Sequence, residues 1–314
     1  MRLPLRIGTR GSPLALTQAN AVREALLAAH PDLAPDSVLL EPITTTGDRI
    51  RDRPLADIGG KGLFTKEIEE ALREGRVAMA VHSLKDMPAF LPNGLVIGCV
   101  PEREDPRDVF LSNAAGSLRD LPKGAVLGTA SLRRQAQALR IRPDLRIEVL
   151  RGNVETRLRK LGSGIVDATL LAAAGLRRLG LMRYATGLMN PEDMLPAVAQ
   201  GAIGIEIRAD DMDTRDLLAP LNHEASAACV LAERAFLAVL EGSCKTPIAA
   251  LAEIDEAGAL RLRARLLAPD GGVTIEATRL GAVGDSVTLG RDAGAEIRSR
   301  ASPELLAGLP GIAS

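Results

Sequence analysis

Along the first two thirds of the chain, short apolar runs are followed by turns of Gly, Ser, Thr or Asn and then by apolar residues spaced three and four apart. That alternation predicts an α/β fold. The strand candidates are residues 5–8, 77–81, 125–127, 147–150 and 168–171. Strands joined through helices pair in parallel, so mostly parallel sheets are expected. Ser12 followed by Pro13 has the form of an N-cap and a first helical residue, ahead of a helix to about residue 28. Phe64, Ile68, Ala71 and Leu72 share one helical face, and Gly75 is placed to end that helix.

The pattern breaks twice. The segment from Pro101 to Pro106 is charged, contains two prolines and reads as a crossing between domains, and a second break falls at residues 196–201. From about residue 251 the period changes to three strand-like runs divided by turn formers at 255–258 and 269–272. A three-stranded antiparallel sheet is expected there, beside a helix over about residues 226–240. A chain of 314 residues also exceeds what one core usually organises, which favours two or three domains.

Composition narrows the chemistry. Aromatic residues make up 2% of the chain and Trp is absent, so the cores must be built from Leu, Ile, Val and Ala. Cys99, Cys229 and Cys244 lack zinc-type pairing, and His30, His82 and His223 are scattered, so no metal site is expected. The net charge of −1 gives no global attraction for nucleic acid or an anionic membrane. Nor does the N-terminal segment carry the apolar core of an export signal, and no stretch reaches the length of a membrane span. A cytoplasmic protein is expected. Locally the balance differs: residues 131–160 hold nine basic and three acidic residues, a net +6 that points to an anionic ligand. Nucleic acid is disfavoured as that ligand by the scarcity of aromatic stacking platforms.

The basic residues recur where strands give way to helices. Arg10 precedes the Ser12 cap, Ser131 precedes Arg133 and Arg134, and Arg151 precedes a cap at Asn153 with Arg157 one turn on. Unpaired N–H groups at a helix start and adjacent guanidinium groups both attract carboxylates. Any single arginine can equally be a solvated surface charge; the recurrence at three helix starts is what favours a polycarboxylate.

Three further segments could carry chemistry. Lys61 lies in the glycine-containing run 58–64, which suits a loop closing over a ligand or a plain connection, but lacks the Gly-Lys-Ser/Thr ending of a phosphate loop. Lys85 and Asp86 fall on a turn between an apolar strand and Pro88, where Asp86 can exchange a proton, stabilise a cation or simply shape the turn. Cys244 lies in the loop-forming run 241–248 beside Lys245, a neighbour that favours thiolate, although an inert thiol fits the same segment. Cys99 and Cys229 suit a core, and His82 a structural hydrogen bond.

Taken together, these motifs resemble the porphobilinogen deaminases over nearly the whole chain, from the start at Arg6–Arg10 to the domain after Cys244. The resemblance implies an α/β protein of three domains. Residues 1–101 with 200–219 and residues 105–196 would form two lobes like those of periplasmic binding proteins, with the active cleft between them. Residues 222–314 would form a smaller α+β domain carrying the cofactor loop.

The family condenses four porphobilinogen molecules head to tail into hydroxymethylbilane, on a dipyrromethane cofactor made from the substrate. Cys244 matches the cysteine that holds this cofactor by a thioether, and a thiolate is suited to capture the electrophilic azafulvene left when porphobilinogen loses its amine. Asp86 matches the catalytic aspartate. Lys85, Ser131, Arg133, Arg134 and Arg151 match cofactor-binding positions, while Arg10, Ser12, Lys61, Phe64, Arg157 and Arg178 match positions that bind or line the substrate site. Porphobilinogen and the growing polypyrrole chain would be the partners of a monomer, without nucleic acid or membrane. Four departures stand out: Ser243 and Ala199 where glycine is common, Lys245-Thr246 where other side chains are frequent, and Asp57 where a basic residue is common. The alternative is a two-lobed protein that binds an organic polycarboxylate without turnover.

Overall fold

The chain enters its first sheet at β1 (Leu5–Arg10) and turns at Ser12 into α1 (Pro13–Ala29). Ser12 Oγ accepts the Ala15 N–H at 3.3 Å, a cap whose loss costs about 1 kcal/mol in comparable helices. Next come β2 (Val38–Ile43), the short α2 (Thr46–Arg49), α3 (Lys66–Arg73), β3 (Met79–Ser83) and β4 (Leu95–Cys99). The computed structural model describes residues 4–49, 64–240 and 247–307. Strand β2 contains Pro42 and Glu41, which obscure it in the sequence; as an edge strand it tolerates a residue with no N–H to give.

After the charged crossing come β5 (Asp108–Ser112), β6 (Val126–Gly128), α4 (Leu132–Ile141) and β7 (Arg146–Glu148). They are followed by α5 (Val154–Gly162), β8 (Ala168–Ala172), α6 (Ala173–Arg178) and the short β9 (Gly187–Leu188). The chain then returns as β10 (Ile203–Arg208) and continues through α7 (Met212–Leu218) and α8 (Glu224–Val239). Strands β11 (Ile248–Ile254), β12 (Ala259–Leu267) and β13 (Thr274–Ala282) form the third sheet, followed by α9 (Ser286–Arg300) and α10 (Pro303–Ala307).

The two larger sheets have matching orders, β2-β1-β3-β10-β4 and β7-β6-β8-β5-β9. In each, the first three strands are parallel. The remaining pairings are antiparallel: β10 with β3 and β4, and β5 with β8 and β9. The expectation of mostly parallel sheets is therefore corrected to evenly mixed ones. The reason is the chain path: β5 and β10 each follow a crossing segment instead of a helical crossover, so they enter their sheets in the opposite sense. The third sheet is antiparallel throughout, as expected.

By contacts the chain forms two units, Met1–Arg103 with Ala202–Ala227 and Glu104–Gly201 with Ala228–Ser314. In the first, Ile7, Met79, Val81 and Ile205 pack against Val22 and Leu26 of α1, and each such buried side chain contributes about 1.5–3 kcal/mol. The opposite face of that sheet is covered by Ile68, Ala71 and Leu72 of α3. The second unit includes both the second and the third sheets. Gln137 on α4 accepts from Arg265 Nη1 of β12 at 2.7 Å and from the Leu195 N–H at 2.9 Å. Glu233, also buried, accepts from the backbone N–H groups of Ala199 and Ala252.

The returning segment carries unusual backbone. Ala199 has φ of 57° and Gly201 of 90°. A Cβ at Gly201 would come within 2.3 Å of the Glu104 carbonyl oxygen, so only glycine fits where the two crossings meet.

Candidate anion-binding and catalytic site

Strand β3 ends in a single tight turn over Leu84–Asp86, closed by the Met87 N–H donating to the Leu84 carbonyl at 3.2 Å. Leu84 and Met87 are buried anchors, while Asp86 is exposed between them. The Leu84 N–H donates to the Ala202 carbonyl at 3.1 Å, tying the turn to the entry of β10. Asp86 consequently faces a cavity shared with Arg10, Ser12, Gln18, Phe64 and Ser83. Four residues singled out in the sequence, Arg10, Ser12, Phe64 and Asp86, come together here from separate elements.

Arg10 is already held. Its guanidinium forks onto Asp48 and lies over the Phe64 ring at 4.1 Å from the centroid. Asp48 also accepts from the Thr45 hydroxyl at 2.7 Å. Burial pushes the Asp48 carboxyl up, but the hydrogen bonds from Arg10 and Thr45 outweigh it and hold the group below the usual carboxylate range. Arg10 is therefore one half of an ion pair that lines the cavity. Gln18 and Ser83 exchange hydrogen bonds at 2.9 and 3.0 Å on the same wall.

In the second unit the helix starts form as the sequence indicates: Ser131 caps α4 and Asn153 caps α5. Arg133 and Arg134 turn back into the protein and close on Asp108, at 2.7 and 2.8 Å, all three being buried. Gln200 donates to the same carboxylate at 3.0 Å. Burial alone would raise the Asp108 carboxyl, yet Arg133 and Arg134 hold it well below the ordinary range. Two guanidinium groups against one carboxylate leave one net positive charge beside the α4 N-terminus.

Arg157 donates to the Gly152 carbonyl at 2.9 Å, and Arg178 to the Gly201 carbonyl at 2.8 Å. Arg151 is half-buried, and its carbonyl accepts from Lys160 Nζ at 3.3 Å. Lys85 is half-buried on the Asp86 turn. Lys61, Cys244 and the departures Asp57, Ser243, Lys245 and Thr246 lie outside the described residues. Cys99 and Cys229 are buried, and burial pushes the Cys99 thiol up to about 12. Among the described residues no group of three or more His, Cys, Asp or Glu is placed to hold a metal ion, and no helix is long and apolar enough to cross a membrane.

Asp48, Asp108, Gln18 and Gln200 complete this arrangement and are missed by sequence reasoning. Two of them leave a trace: Asp108 heads a strand whose next three residues are apolar, and Gln18 occupies a core position in the i, i+4 series that continues with Val22 and Leu26. Asp48 lies in the short α2 and Gln200 in a turn; their charged partners, Arg10 and Asp108, are remote in sequence, so nothing local marks these roles.

Two mixed sheets of matching strand order, with capped helices that begin beside arginines, define an α/β protein. A porphobilinogen deaminase dipyrromethane cofactor-binding domain matches residues 5–216, and the C-terminal domain of the same proteins matches residues 227–299. The chain belongs to the porphobilinogen deaminase family. It is 55% identical to a porphobilinogen deaminase of Paracoccus denitrificans over 95% of both chains. To a chloroplastic porphobilinogen deaminase of Oryza sativa it is 52% identical, over 95% of this chain and 84% of that one. Among solved structures, a periplasmic substrate-binding protein of an ABC transporter from Coxiella burnetii matches with a TM-score of 0.43 and 18% identity, covering 71% of this chain and 94% of that one.

Proposed function

We propose that this chain is the transferase that condenses four porphobilinogen molecules head to tail and releases hydroxymethylbilane for tetrapyrrole synthesis. The observation that carries the reading is the family match over both parts of the chain. Each addition forms one carbon–carbon bond and breaks one carbon–nitrogen bond with loss of ammonia; release of the product consumes water, whose hydroxyl ends on the terminal methylene.

The donor set fits a dipyrromethane bearing carboxylates. Ser131, Arg133, Arg134 and Arg151 would hold it, Lys85 would assist, and Cys244 would anchor it by a thioether. When bound, the cofactor supplies the nucleophilic pyrrole carbon. The charge excess around Asp108 supports this role for α4, because a fully neutralised cluster would offer an anion nothing.

Asp86 is the catalytic residue in this reading. Its exposed carboxylate can stabilise positive charge on a pyrrole nitrogen and take up or return a proton at the reacting carbon. Arg10 and Ser12 hold a substrate carboxylate on the wall beside it, with Asp48 fixing the guanidinium and Phe64 covering its face. Arg157, Arg178 and Lys61 would supply further positive charge for a chain that grows by two carboxylates per ring. The same reading makes the enzyme a cytoplasmic monomer; a sedimentation mass equal to one chain checks the oligomeric state.

Intact mass of the denatured protein and of Cys244→Ser, with porphobilinogen consumption assayed in parallel, tests the proposal. An adduct of two linked pyrroles, present only with Cys244 and accompanied by turnover, supports it. An unmodified wild-type chain that stays inactive with porphobilinogen or hydroxymethylbilane overturns it in favour of a binding protein.

A further inference from the structure

Strand β1 ends at Arg10, which lies opposite Ile43, the last residue of β2. The chain leaving β2 runs straight into α2, so the parallel pairing delivers Thr45 to Asp48 beside the Arg10 side chain. This corner is fixed from several directions. The Thr46 N–H and hydroxyl both donate to Glu67 Oε1 of α3, the N–H at 2.8 Å. Asp48 Oδ2 accepts from the Thr45 hydroxyl at 2.7 Å and from the Thr45 N–H at 3.3 Å. A Cβ at Gly47 would collide with the Phe64 ring, so the backbone of α2 itself supports that ring.

Arg10 is enclosed on two sides. Asp48 takes the edge of the guanidinium that carries Nε and Nη2, and the Phe64 ring covers one face. Among the described residues Nη1 has no hydrogen-bond partner, and Arg10 borders the cavity shared with Ser12 and Asp86. The Arg10 and Asp48 side chains are each 25% exposed, so neither is sealed from an incoming anion. The side-on fork is the strong way for a guanidinium to hold a carboxylate, and Asp48 already fills it. A second carboxylate can meet only the Nη1 end. There it shares one positive charge with Asp48 and is repelled by it, which at a partly exposed site weakens binding by about three- to ten-fold.

We propose that Asp48 sets the strength of the substrate grip: as the resident counter-ion of Arg10 it competes with the substrate carboxylate, leaving an end-on contact that is made and given up easily. The same carboxylate holds the guanidinium in place and limits its pull. A chain assembled by four successive additions has to clear this site after each one, and an Arg10 with its whole fork open would retain each unit longer. The inference rests on the reading of Arg10 as a substrate-binding residue.

The test separates binding from turnover. A pyrrole that carries acetate and propionate side chains but no aminomethyl group, and so cannot be condensed, is titrated calorimetrically into the purified full-length protein. Asp48→Asn keeps an oxygen for Arg10 but no charge, and is expected to bind this pyrrole about three- to ten-fold more tightly than wild type. KM for porphobilinogen should fall in parallel while kcat does not rise. A merely structural role for Asp48 predicts the opposite, because a disordered Arg10 binds more weakly. Asp48→Ser removes the same charge and should also tighten binding, so either variant that folds decides the matter; Asp48→Glu keeps the charge and should bind no more tightly than wild type. In an Arg10→Gln background the gain from Asp48→Asn should drop below about two-fold. Equal or weaker binding by the folded uncharged variants would overturn the proposal, as would a gain that persists without Arg10. A wild-type chain that consumes no porphobilinogen would defeat the functional reading instead, while the pyrrole titrations would still report on Asp48.

Discussion

Leu84 rests directly on Gly204: a Cβ at Gly204 would come within 2.3 Å of Leu84 Cδ2. The turn that presents Asp86 is therefore seated by a close approach between its first residue and the backbone of β10. Gly204→Ala forces Leu84 outward and moves Asp86 with it. We expect a loss of about 1–3 kcal/mol in stability, as for other overpacked cores, together with a fall in kcat of at least ten-fold. The cofactor mass should persist, because among the proposed cofactor-holding residues only Lys85 belongs to this turn. Urea denaturation, turnover and intact mass on one preparation check all three.

Asp108 neutralises part of the charge of Arg133 and Arg134 in a buried setting, so its removal leaves two cations without a counter-ion. Asp108→Asn is expected to cost about 3–5 kcal/mol at pH 7. The native carboxyl lies below its unfolded value, so this stabilisation is complete above about pH 4 and is lost as the pH falls further. The difference between wild type and Asp108→Asn should accordingly shrink on acidification below pH 4, as measured by denaturant titrations at successive pH values.

Ala199 occupies a left-handed conformation with φ of 57°. Relief of about 1–2 kcal/mol of strain, less about 0.4–1 kcal/mol of added unfolded-state entropy, makes Ala199→Gly stabilising by about 0.5 kcal/mol. Ala199→Val should destabilise by more than 1 kcal/mol, because a branched side chain is poorly tolerated there and the site is buried. Thermal unfolding of the pair gives the sign directly.

Thiol accessibility separates the three cysteines. Cys99, raised to about 12 by burial, and Cys229, also buried, should resist a thiol reagent at pH 8 in the native protein. Denaturation should expose about two reactive thiols in cofactor-loaded protein and about three in protein lacking it, the third being Cys244. Three reactive thiols in protein that carries the pyrrole adduct would rule out a thioether at Cys244.

Helix starts at Ser12, Ser131 and Asn153 are legible in the sequence because a cap bonds its own first turn and depends on nothing remote. The third sheet is legible for a similar reason: adjacent strands are joined by turn formers. Strands β5 and β10 are harder to read because each buries a carboxylate, Asp108 or Glu206, that only a partner from another element makes tolerable. The cations are legible as residue types but not as charges. That Arg10 faces Asp48, and that Arg133 and Arg134 share Asp108, depends on contacts spanning 25 to 38 positions.

The place of β10 bears on how the chain is made. The strand lies inside the first sheet, between β3 and β4, but is translated only after the whole of the second sheet has emerged. A nascent chain ending near residue 103 would hold β1–β4 with a gap at the position of their missing neighbour, whereas residues 108–188 already contain every strand of the second sheet. The second lobe can thus acquire its structure on the ribosome while the first waits, its open strand edges a target for chaperones until Ile203–Arg208 arrives.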